Sequence, residues 1–509
     1  MLFPQPLLDA LRDTPDRPAF EHGDRTLSRG ELLELIRRLA GAMRAAGLGP
    51  GRAVAVRTAV TPEAFAAHMA AHTLGCRVVG IRPGYPEGQL AHVLGMGIDA
   101  LLVDPATATP DLRRAAARHL PGRPTLSLGP CTGAGDLLAH PDDGRPLTVT
   151  ARLDDVAALT FTSGSTGRPK GCAITYRALG EHWAWQPRVW SPVAAGLAGA
   201  FERYLLFGTL ASMVVMEFVA PCLLGGGTAV IPEDDGRPMF PYAIERHRIT
   251  GSIITVPRLF QMLKFLDKVD VSSLRALMVS GSPISARRLA EATERLGPVV
   301  YQGYGQTEAG NIAMLTPDHI AAGVLEPVGR PHPGVEISVR DEHDAELPPG
   351  VTGEVHVRSP YLMRGYWGDE EETRQTLKDG WLRTRDLGHM DGDGFLHLAG
   401  RSRDVIMVNA MVVYAGPIER ALTDHPGVDE AYVVGAADEG TGEAVHAFVV
   451  PAAGRTPDRG ALRALVRARL GEDSVPQTIT IVPAVPLATS GKPDKRALSE
   501  QILRIARQH

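Results

Sequence analysis

A run of small and polar residues, TFTSGSTGRPKG at 160–171, follows an apolar segment of the chain. Glycines let backbone N–H groups approach an oxyanion closely, hydroxyl groups add donors, and the lysine brings a compact positive charge. A flexible linker has a similar composition, but it needs neither a preceding buried strand nor a Pro-Lys-Gly ending. The spacing differs from the GxxxxGK[ST] pattern of the Walker A loop. The segment nevertheless predicts a loop that closes over phosphate groups.

Five further segments combine glycine or proline with polar, charged or aromatic side chains: SGSP (280–283), YQGYGQTEAG (301–310), GEVHVRSPYLMRGYW (353–367), WLRTRDLGHMDGDGFLHLAGR (381–401) and PLATSGKPDKRAL (486–498). Taken one at a time, their residues have ordinary structural explanations. Tyr304 could be a core tyrosine in a turn, and Glu308 could cap a helix. Asp386 and Arg401 could form a surface salt bridge, and Lys492 could be a solvated loop lysine. Only the whole set, in its order along the chain, points to one function.

The set resembles the motifs of the adenylate-forming ligases, a superfamily of acyl- and aryl-CoA synthetases, peptide-synthetase adenylation domains and luciferases. Residues 160–171 resemble its phosphate loop, [ST]SGxTGxPKG, and residues 301–310 the QGYGxTEAG form found in 4-coumarate and other aryl-acid ligases. Residues 381–401 are similar to the pattern TGDxG…DGxxxxxGR, and residues 486–498 to the C-terminal PxxxxGKxxR loop. All motifs occur in the expected order, whereas residues 1–150 carry only a fold-level resemblance.

The resemblance implies a binding site for ATP and Mg²⁺. Tyr304 would stack on the adenine, Asp386 would accept hydrogen bonds from the ribose hydroxyls, and Arg401 would support the same sugar. Glu308 would bind Mg²⁺, a hard cation that prefers carboxylate oxygens. The nucleotide-binding set implied in this way is Thr162, Ser163, Gly164, Ser165, Thr166, Gly167, Lys170, Ser282, Pro283, Gln302, Gly303, Tyr304, Asp386 and Arg401.

The implied reaction is in-line attack of a carboxylate oxygen on the α-phosphate of ATP, with release of pyrophosphate. Positioning and charge neutralisation supply most of the catalysis in such a step. Thr307, Glu308 and Lys492 would be the catalytic residues, with Lys492 bridging the carboxylate and α-phosphate oxygens. In the superfamily the C-terminal domain then rotates about a hinge, here Arg403, to present another face for the second half-reaction.

Three positions depart from the motifs of the superfamily. Ala410 occupies the glycine position of the pattern GRxxDxIxxxGxxIxPxEIE at 401–419, and Pro417 replaces its first glutamate. That glycine lies beside the channel for the pantetheine of CoA or a carrier protein, so a methyl group there could obstruct thioester formation. Arg385 stands where TGD has glycine, which affects the local turn but leaves Asp386 in place.

The substrate pocket departs from the superfamily as well. The histidine gate of aryl and acyl ligases is absent, and Met213 lies near its position. No FDxS segment supplies the aspartate that amino-acid-activating domains use for an α-ammonium group. Together with the QGYGQTEAG form, these features favour an aryl or arylacrylic acid over an α-amino acid or a long fatty acid.

We therefore expect an enzyme that activates an aromatic acid as its acyl-adenylate and transfers it to CoA. Ala410 and Pro417 keep a second class of acceptor open: an amine, as in an amide synthetase, or an arylamine that captures activated nitrite to give a diazo product. The third alternative is a non-catalytic nucleotide-binding or scaffold protein derived from a ligase. The retention of Glu308, Asp386 and Lys492 argues against this alternative. The sequence leaves the acid, the acceptor and the oligomeric state open.

The elements that must position these residues alternate between strand and helix patterns up to about residue 330. Strand patterns occur at 51–58, 76–81, 100–104, 157–162, 251–256 and 275–280, with a helix pattern at 62–75. This alternation predicts an α/β fold with parallel sheets covered by helices. The apolar stretch at 204–232 is interrupted by Pro221 and three glycines, and it predicts a helix followed by a buried strand rather than a membrane span.

The chain is expected to form a large and a small domain. The large N-terminal domain comprises residues 1–400 and includes a β-rich subdomain at 333–398, where short strands and turns replace the earlier pattern. Residues 401–509 predict a small, mobile α+β domain. Thr456 is the expected N-cap of a helix at 457–470, with Pro457 at its first position.

The composition fits a folded globular protein of at least two domains: 509 residues, 44% hydrophobic and 22% charged. The net charge of -5 gives no reason to expect nucleic acid or an anionic membrane surface as partner. The four cysteines are far apart and form no CxxC pair, which argues against a zinc site or a disulfide framework. The N-terminus lacks the basic segment of a signal peptide, so we expect a cytoplasmic enzyme with small-molecule partners and no membrane insertion.

Overall fold

The computed structural model describes residues 2–162, 169–282, 284–408, 411–438, 441–487 and 493–506. Within these ranges the α-helices are α1 (Gln5–Asp13), α2 (Arg29–Ala45), α3 (Pro62–Thr73), α4 (Glu87–Leu94), α5 (Pro110–His119), α6 (Tyr176–Glu181), α7 (Pro192–Ala200), α8 (Met213–Leu224), α9 (Met239–His247), α10 (Val256–Leu263), α11 (Ala286–Leu296), α12 (Pro317–Ala321), α13 (Glu370–Thr376), α14 (Ala415–Thr423), α15 (Arg459–Leu470) and α16 (Lys495–Ala506).

The strands are β1 (Pro18–His22), β2 (Arg25–Ser28), β3 (Ala53–Arg57), β4 (Arg77–Gly80), β5 (Ala100–Val103), β6 (Thr125–Ser127), β7 (Gly135–Asp136), β8 (Val156–Thr162), β9 (Lys170–Thr175), β10 (Arg203–Leu205), β11 (Thr228–Ile231), β12 (Gly251–Thr255), β13 (Ala276–Ser280), β14 (Val300–Gln306), β15 (Gly310–Leu315), β16 (Arg330–Pro331), β17 (Glu336–Arg340), β18 (Gly353–Arg358), β19 (Gly365–Tyr366), β20 (Leu377–Lys378), β21 (Trp381–Met390), β22 (Leu396–Arg401), β23 (Val405–Val408), β24 (Met411–Tyr414), β25 (Val428–Asp438), β26 (Gly442–Pro451) and β27 (Thr478–Ile481).

The structure divides into two compact units, each built from several segments of the chain. The first unit comprises Met1–Met278, Gly305–Gly310 and Ser359–Gly380, and the second comprises Val279–Tyr304, Asn311–Arg358 and Trp381–His509. The first unit therefore contains Lys170 and Glu308, and the second contains Tyr304, Asp386 and Arg401. The contiguous domain boundaries expected from the sequence stay predictions.

An eight-stranded sheet in the first unit has the order β19-β9-β8-β4-β3-β5-β6-β7. Strand β3 pairs in parallel with β4 and β5, and β4 with β8, whereas β8 and β9 are antiparallel. Helix α3 connects β3 to β4, and its N-cap Thr61 accepts a hydrogen bond from the N–H of Ala64. The alanine and valine side chains of β3 are buried because helices cover the parallel sheet.

A second sheet of the first unit contains the strand order β12-β10-β11-β1-β2, in which β11 pairs in parallel with both β1 and β10. The apolar stretch at 204–232 contributes β10, helix α8 with Pro221 in its interior, and the fully buried strand β11. The prediction of a helix followed by a buried strand is confirmed. No helix among the described residues combines the length and the hydropathy needed to cross a membrane.

The second unit contains an antiparallel sheet in which β18 pairs with β17 and β21, and β21 also pairs with β22. This sheet is the β-rich region expected after the alternating strands and helices. Strands β21 and β22 carry Asp386 and Arg401 in directly opposed register positions. The sheet therefore fixes the spacing of two residues that the resemblance assigns to the nucleotide.

The C-terminal part of the second unit has a sheet of order β24-β23-β26-β25, with β27 parallel to β26. Helices α14 and α15 contribute Ile418 and Leu462 to one core cluster, and α16 contributes Leu498 to another. These elements complete the mixed α/β fold, with helix-covered sheets, a β-rich sheet and an α+β C-terminal part, so the fold-class prediction is confirmed.

The start of helix α15 differs from the expectation. Its N-cap is Asp458, whose carboxylate accepts a hydrogen bond from the N–H of Ala461 at 2.7 Å. The prediction that Thr456 caps this helix with Pro457 at its first position is therefore wrong. Aspartate and threonine are both good N-caps, and the position of Pro457 did not decide between them.

Candidate active site

Asp386 is held from two sides in the second unit. The Nε of Arg401 donates to Asp386 Oδ1 at 3.0 Å, and the hydroxyl of Tyr304 donates to Oδ2 at 2.6 Å. Asp386 is 4% exposed, whereas the side chain of Arg401 remains 43% exposed. Charge-assisted hydrogen bonds therefore fix a buried carboxylate in one orientation. The structure brings together these three residues, all of which were predicted from the sequence.

The ionisation of Tyr304 is shifted by its surroundings. Burial and the neighbouring charge of Asp386 raise the pKa of Tyr304 well above its usual value. The phenol therefore stays protonated at physiological pH and remains a donor to the carboxylate. Since its hydroxyl is held by Asp386, its ring is restrained in position.

The residues just before Tyr304 supply a buried acceptor. Gln302 is buried, and its Oε1 accepts no hydrogen bond from any other described residue. A buried carbonyl oxygen without a donor is costly, so this atom suits a ligand that brings an N–H group. Gly303 and Ser282 are half-buried in the same unit, and Pro283 lies outside the described residues.

The backbone conformation of Arg385 shows why the superfamily motif has a glycine at this position. Its φ is 59°, in the left-handed region that glycine adopts without penalty and other L-residues avoid. Arg385 is exposed, and the neighbouring Asp386 keeps its hydrogen bonds from Tyr304 and Arg401. Arg385 lies within strand β21, at a register shift, and not in the expected turn, so the substitution of glycine by arginine strains the strand backbone without displacing the carboxylate.

In the first unit, β8 and β9 form a hairpin that carries the predicted phosphate loop. Thr162 and Lys170 are partners at the end of the ladder, so the loop leaves one strand and returns to the other at this pair. The loop residues Ser163, Gly164, Ser165, Thr166 and Gly167 lie outside the described residues, as does the predicted catalytic Lys492.

Lys170 is paired with an acidic residue that the sequence did not single out. Its Nζ lies 2.6 Å from Glu372 Oε1 on helix α13, and both side chains are largely buried. The same ammonium lies 5.3 Å from the centre of the Tyr366 ring. The lysine that the resemblance assigns to phosphate therefore has its charge balanced within the first unit.

Glu308 lies close to the end of the same hairpin. Its Oε1 accepts a hydrogen bond from the Tyr366 hydroxyl at 2.9 Å. Burial and the charge of Glu308 raise the pKa of the Cys172 thiol well above its usual value, and the thiol is hydrogen-bonded with both Glu308 and Thr162. The carboxylate of Glu308 and the hydroxyl of Thr162 thus both contact the neutral thiol of Cys172. Thr307, which precedes Glu308 in the chain, is half-buried.

Tyr366 and Glu372 were missed in the sequence. Tyr366 lies in the quoted motif GEVHVRSPYLMRGYW, and Glu372 ends the acidic run at the start of α13. Acidic residues in the first turn of a helix have an ordinary explanation in the helix dipole, so the run gave no functional signal.

Met213 is the first residue of helix α8 and lines a cavity of about 40 Å³ in the first unit. Met216 and Glu217 of the same helix also line it, together with His182 and Thr160. The remaining lining is mostly apolar. The expected pocket residue thus borders a cavity, and Glu217 and His182 are polar lining residues that the sequence did not single out.

The segment around the post-hinge motif is described in part. Arg403, the predicted hinge, lies in the short 3-10 turn Ser402–Asp404, and Ala410 lies outside the described residues. Pro417 is the third residue of helix α14, where a backbone N–H has no helical acceptor and its loss is tolerated. The missing glutamate would occupy the position used by a capping box, and no side chain caps this helix.

Comparison with known proteins identifies the family. The model described as AMP-binding enzyme matches residues 7–367, and the model described as AMP-binding enzyme C-terminal domain matches residues 417–492. The chain belongs to the AMP-binding enzyme family. This AMP-binding enzyme is an AMP-forming ligase, and the resemblance to adenylate-forming ligases is confirmed.

Relatives of this AMP-binding enzyme match over nearly its whole length. Feruloyl-CoA synthase of Amycolatopsis sp is 33% identical, with 94% of this chain and 95% of that protein covered. The medium/long-chain-fatty-acid–CoA ligase FadD8 of Mycobacterium tuberculosis is 32% identical, with 97% and 88% covered. The solved structure of the amide bond synthetase McbA from Marinactinospora thermotolerans is 37% identical, with a TM-score of 0.86 and 97% and 99% covered.

Proposed function

We propose that this protein activates an aryl or arylacrylic acid as its acyl-adenylate, with release of pyrophosphate, and transfers the acyl group to CoA. The observation that carries the proposal is the buried carboxylate of Asp386, held by Tyr304 and Arg401 within a ligase motif. Similarity to feruloyl-CoA synthase over 94% of the chain supports an aromatic acid and CoA. We further propose a cytoplasmic location, because the four cysteines are free.

We assign roles in ATP binding to residues of the second unit and then, separately, to residues of the first. The carboxylate of Asp386 accepts hydrogen bonds from the ribose hydroxyls, and the ring of Tyr304 stacks on the adenine. The buried Gln302 Oε1 accepts from the exocyclic amino group of adenine, which satisfies an acceptor that has no donor among the described residues. In the first unit, the resemblance assigns the phosphates to residues 163–167 and Lys170, and Lys170 would exchange Glu372 for the phosphate oxygens.

A magnesium ion fits the oxygen donors of Glu308 and Thr162, since Mg²⁺ prefers carboxylate and hydroxyl ligands. Held by Glu308 and Thr162, the ion would supply charge neutralisation for the phosphates. Tyr366 orients the carboxylate of Glu308 through its hydroxyl, and Thr307 lies next to it in the chain.

In the first half-reaction, an oxygen of the substrate carboxylate forms a bond to the α-phosphorus while the bond to the bridging oxygen breaks. Pyrophosphate leaves with both electrons of that bond, and Lys492 stabilises the charge on the carboxylate and α-phosphate oxygens. In the second, the thiolate sulfur of CoA forms a bond to the acyl carbon, and AMP leaves. We propose that residues 401–509 rearrange about Arg403 between the two steps.

Acid-dependent exchange of pyrophosphate into ATP tests the first half-reaction. We expect exchange with benzoates and cinnamates, and trapping of the activated acid by hydroxylamine as a hydroxamate. Lys492→Ala should lower exchange by ~10²–10³-fold with ATP affinity nearly unchanged, because one oriented electrostatic group is typically worth that factor. Lys268→Ala, which removes an exposed lysine outside the motifs, is the matched control. Exchange by Lys492→Ala at the wild-type rate would exclude the assigned role of Lys492.

An amine acceptor is the second candidate, favoured by the 37% identity to an amide bond synthetase over 97% of this chain. Incubating the enzyme, ATP and acid with CoA and an amine together separates the candidates by product. Thioester as the main product supports the CoA ligase, and amide supports the synthetase. AMP formed from ATP with nitrite and an arylamine, without any trapped hydroxamate, supports the diazo-forming alternative.

A further inference from the structure

A small cavity in the first unit borders the strands that carry the phosphate-end residues. Thr160 lines the cavity and lies two residues before Thr162 on β8. Helix α8 contributes Met213, Met216 and Glu217 to the wall. Most of the lining is apolar, but His68, His72 and His182 also line the cavity, and Glu217 adds a carboxylate whose burial needs a physical explanation.

Glu217 is 4% exposed and lies on a helix that is otherwise almost wholly apolar. The indole Nε1 of Trp183 donates to Glu217 Oε1 at 2.8 Å, and His182 Nε2 lies 3.7 Å from the same oxygen. Burying a carboxylate is costly even when it is hydrogen-bonded, and an apolar residue of similar volume would pack in this helix at no such cost. The position therefore suits a charge retained for a ligand.

The partners of Glu217 are themselves held rigidly. The ring of Trp183 packs edge-on against Phe218, with centroids 5.9 Å apart. The ring of His182 packs against Tyr361 at 4.8 Å. A Cβ atom on Gly310 would lie 2.9 Å from His182 Nε2, so only glycine allows the histidine to approach this closely. Gly310 follows Glu308 by two residues, which links the histidine to the phosphate end of the first unit.

The size of the cavity limits what it can accept. About 40 Å³ holds roughly three water molecules, since one needs ~10–15 Å³ on this scale. That volume suits a substituent rather than a whole aromatic ring. Met213 and Met216 are unbranched and adjust their shape readily, so the cavity can adapt to a ring that carries the substituent.

We propose that this cavity receives a hydroxyl or amino substituent of the aromatic acid, and that Glu217 accepts a hydrogen bond from it. This inference rests on the proposed function and narrows its substrate class to acids with a ring-bound hydrogen-bond donor. A hydrogen bond to a buried charge discriminates against an analogue without the donor, because that analogue leaves the additional hydrogen bond to the charge unmade.

Pyrophosphate exchange with matched acids tests the proposal. Meta- and para-substituted benzoates and cinnamates are compared as hydroxyl, amino and methyl analogues, which have similar volumes. The wild-type enzyme should prefer at least one hydroxyl-substituted or amino-substituted aromatic acid over its methyl analogue, by more than about tenfold in kcat/KM. Glu217→Gln keeps the shape and an acceptor for Trp183 but removes the charge, and it should reduce this preference to less than about threefold. Glu202→Gln, at an exposed glutamate, should leave the preference unchanged.

Two outcomes overturn the inference while leaving the proposed function intact: exchange without any preference for donors, or a preference that persists in Glu217→Gln. Absence of exchange with every acid, in a folded wild-type enzyme, overturns the proposed function and the inference with it. If Glu217→Gln does not fold, Met216→Phe provides the test by filling the cavity without removing the charge. This variant should lower kcat/KM with the substituted acids more than with unsubstituted benzoate and cinnamate; an equal effect on both groups contradicts the proposal.

Discussion

Two neighbouring motif positions on β21, 385 and 386, are needed for different physical reasons. Asp386 keeps the motif residue, and its carboxylate is buried and bound by Tyr304 and Arg401. Arg385 replaces a glycine and adopts the left-handed conformation that the glycine would adopt freely. The motif thus preserves a charge at one position and a backbone conformation at the next.

Tyr304→Phe should destabilise the protein by about 1–3 kcal/mol, because a buried carboxylate loses a donor that no other atom of phenylalanine replaces. The ring remains, so stacking on adenine is retained. Urea unfolding of Tyr304→Phe, Asp386→Asn and the double variant measures the coupling between the two side chains. Fully additive effects would show that the 2.6 Å contact contributes no interaction energy.

At position 385, glycine should be more stabilising than valine by about 1–2 kcal/mol, because a β-branched side chain is strained at a φ of 59°. Urea unfolding of Arg385→Gly and Arg385→Val measures this difference. The same pair of substitutions at Arg383, on the same strand, is the control. At position 383 the valine variant should be more stable than the glycine variant, as is usual in a strand. The same order of stability at both positions would contradict the left-handed conformation of Arg385.

Elements with a strong local pattern were predictable from the sequence. The succession β3-α3-β4 follows from buried apolar runs around a helix that starts with Thr-Pro, and α8 with β11 follows from an interrupted apolar stretch. The pairing of Lys170 with Glu372 and the position of Glu217 beside Trp183 were not predictable. They depend on contacts between segments far apart in the chain, which no local periodicity encodes.

The start of α15 was predicted two residues too early, and it provides a test at the scale of one element. Asp458→Ala should lower stability by about 1 kcal/mol, because the N–H of Ala461 loses its acceptor. Thr456→Ala, at the residue first expected to cap the helix, should change stability by less than about 0.5 kcal/mol. Thermal or urea unfolding of the two variants decides the comparison, and a larger effect of Thr456→Ala would restore the earlier assignment.

At the scale of the whole molecule, buried histidines couple stability to pH. Burial lowers the pKa of His68 to about 4, of His72 to about 3 and of His332 to about 4. In the unfolded chain these groups bind protons near their usual pKa of ~6.5. Between that pH and about 4, the unfolded state therefore binds more protons than the folded state, and stability falls as pH falls.

Each of these histidines should reduce the free energy of unfolding by about 1.4 kcal/mol per pH unit within that window. Unfolding midpoints measured from pH 7.5 to pH 5 should decline. In His68→Gln the free energy of unfolding should fall less steeply with pH, by about 1.4 kcal/mol per pH unit, because one fewer proton is taken up on unfolding. His343→Gln, at an exposed histidine, is the control. A slope unchanged by His68→Gln would mean that His68 is protonated in the folded protein.

The acceptor step depends on the rearrangement proposed for residues 401–509, and Ala410 provides its test. If the methyl group narrows the pantetheine channel, Ala410→Gly should raise the rate of CoA thioester formation and leave pyrophosphate exchange unchanged, since only the second step uses the channel. Hydroxylamine is small enough to reach an adenylate from solvent, so hydroxamate trapping should be equal in both proteins and serves as the control. Rapid thioester formation by the unmodified enzyme, with no gain in Ala410→Gly, would show that the backbone accommodates the methyl group. An Ala410→Gly variant that also changes pyrophosphate exchange would instead place residue 410 in the first half-reaction.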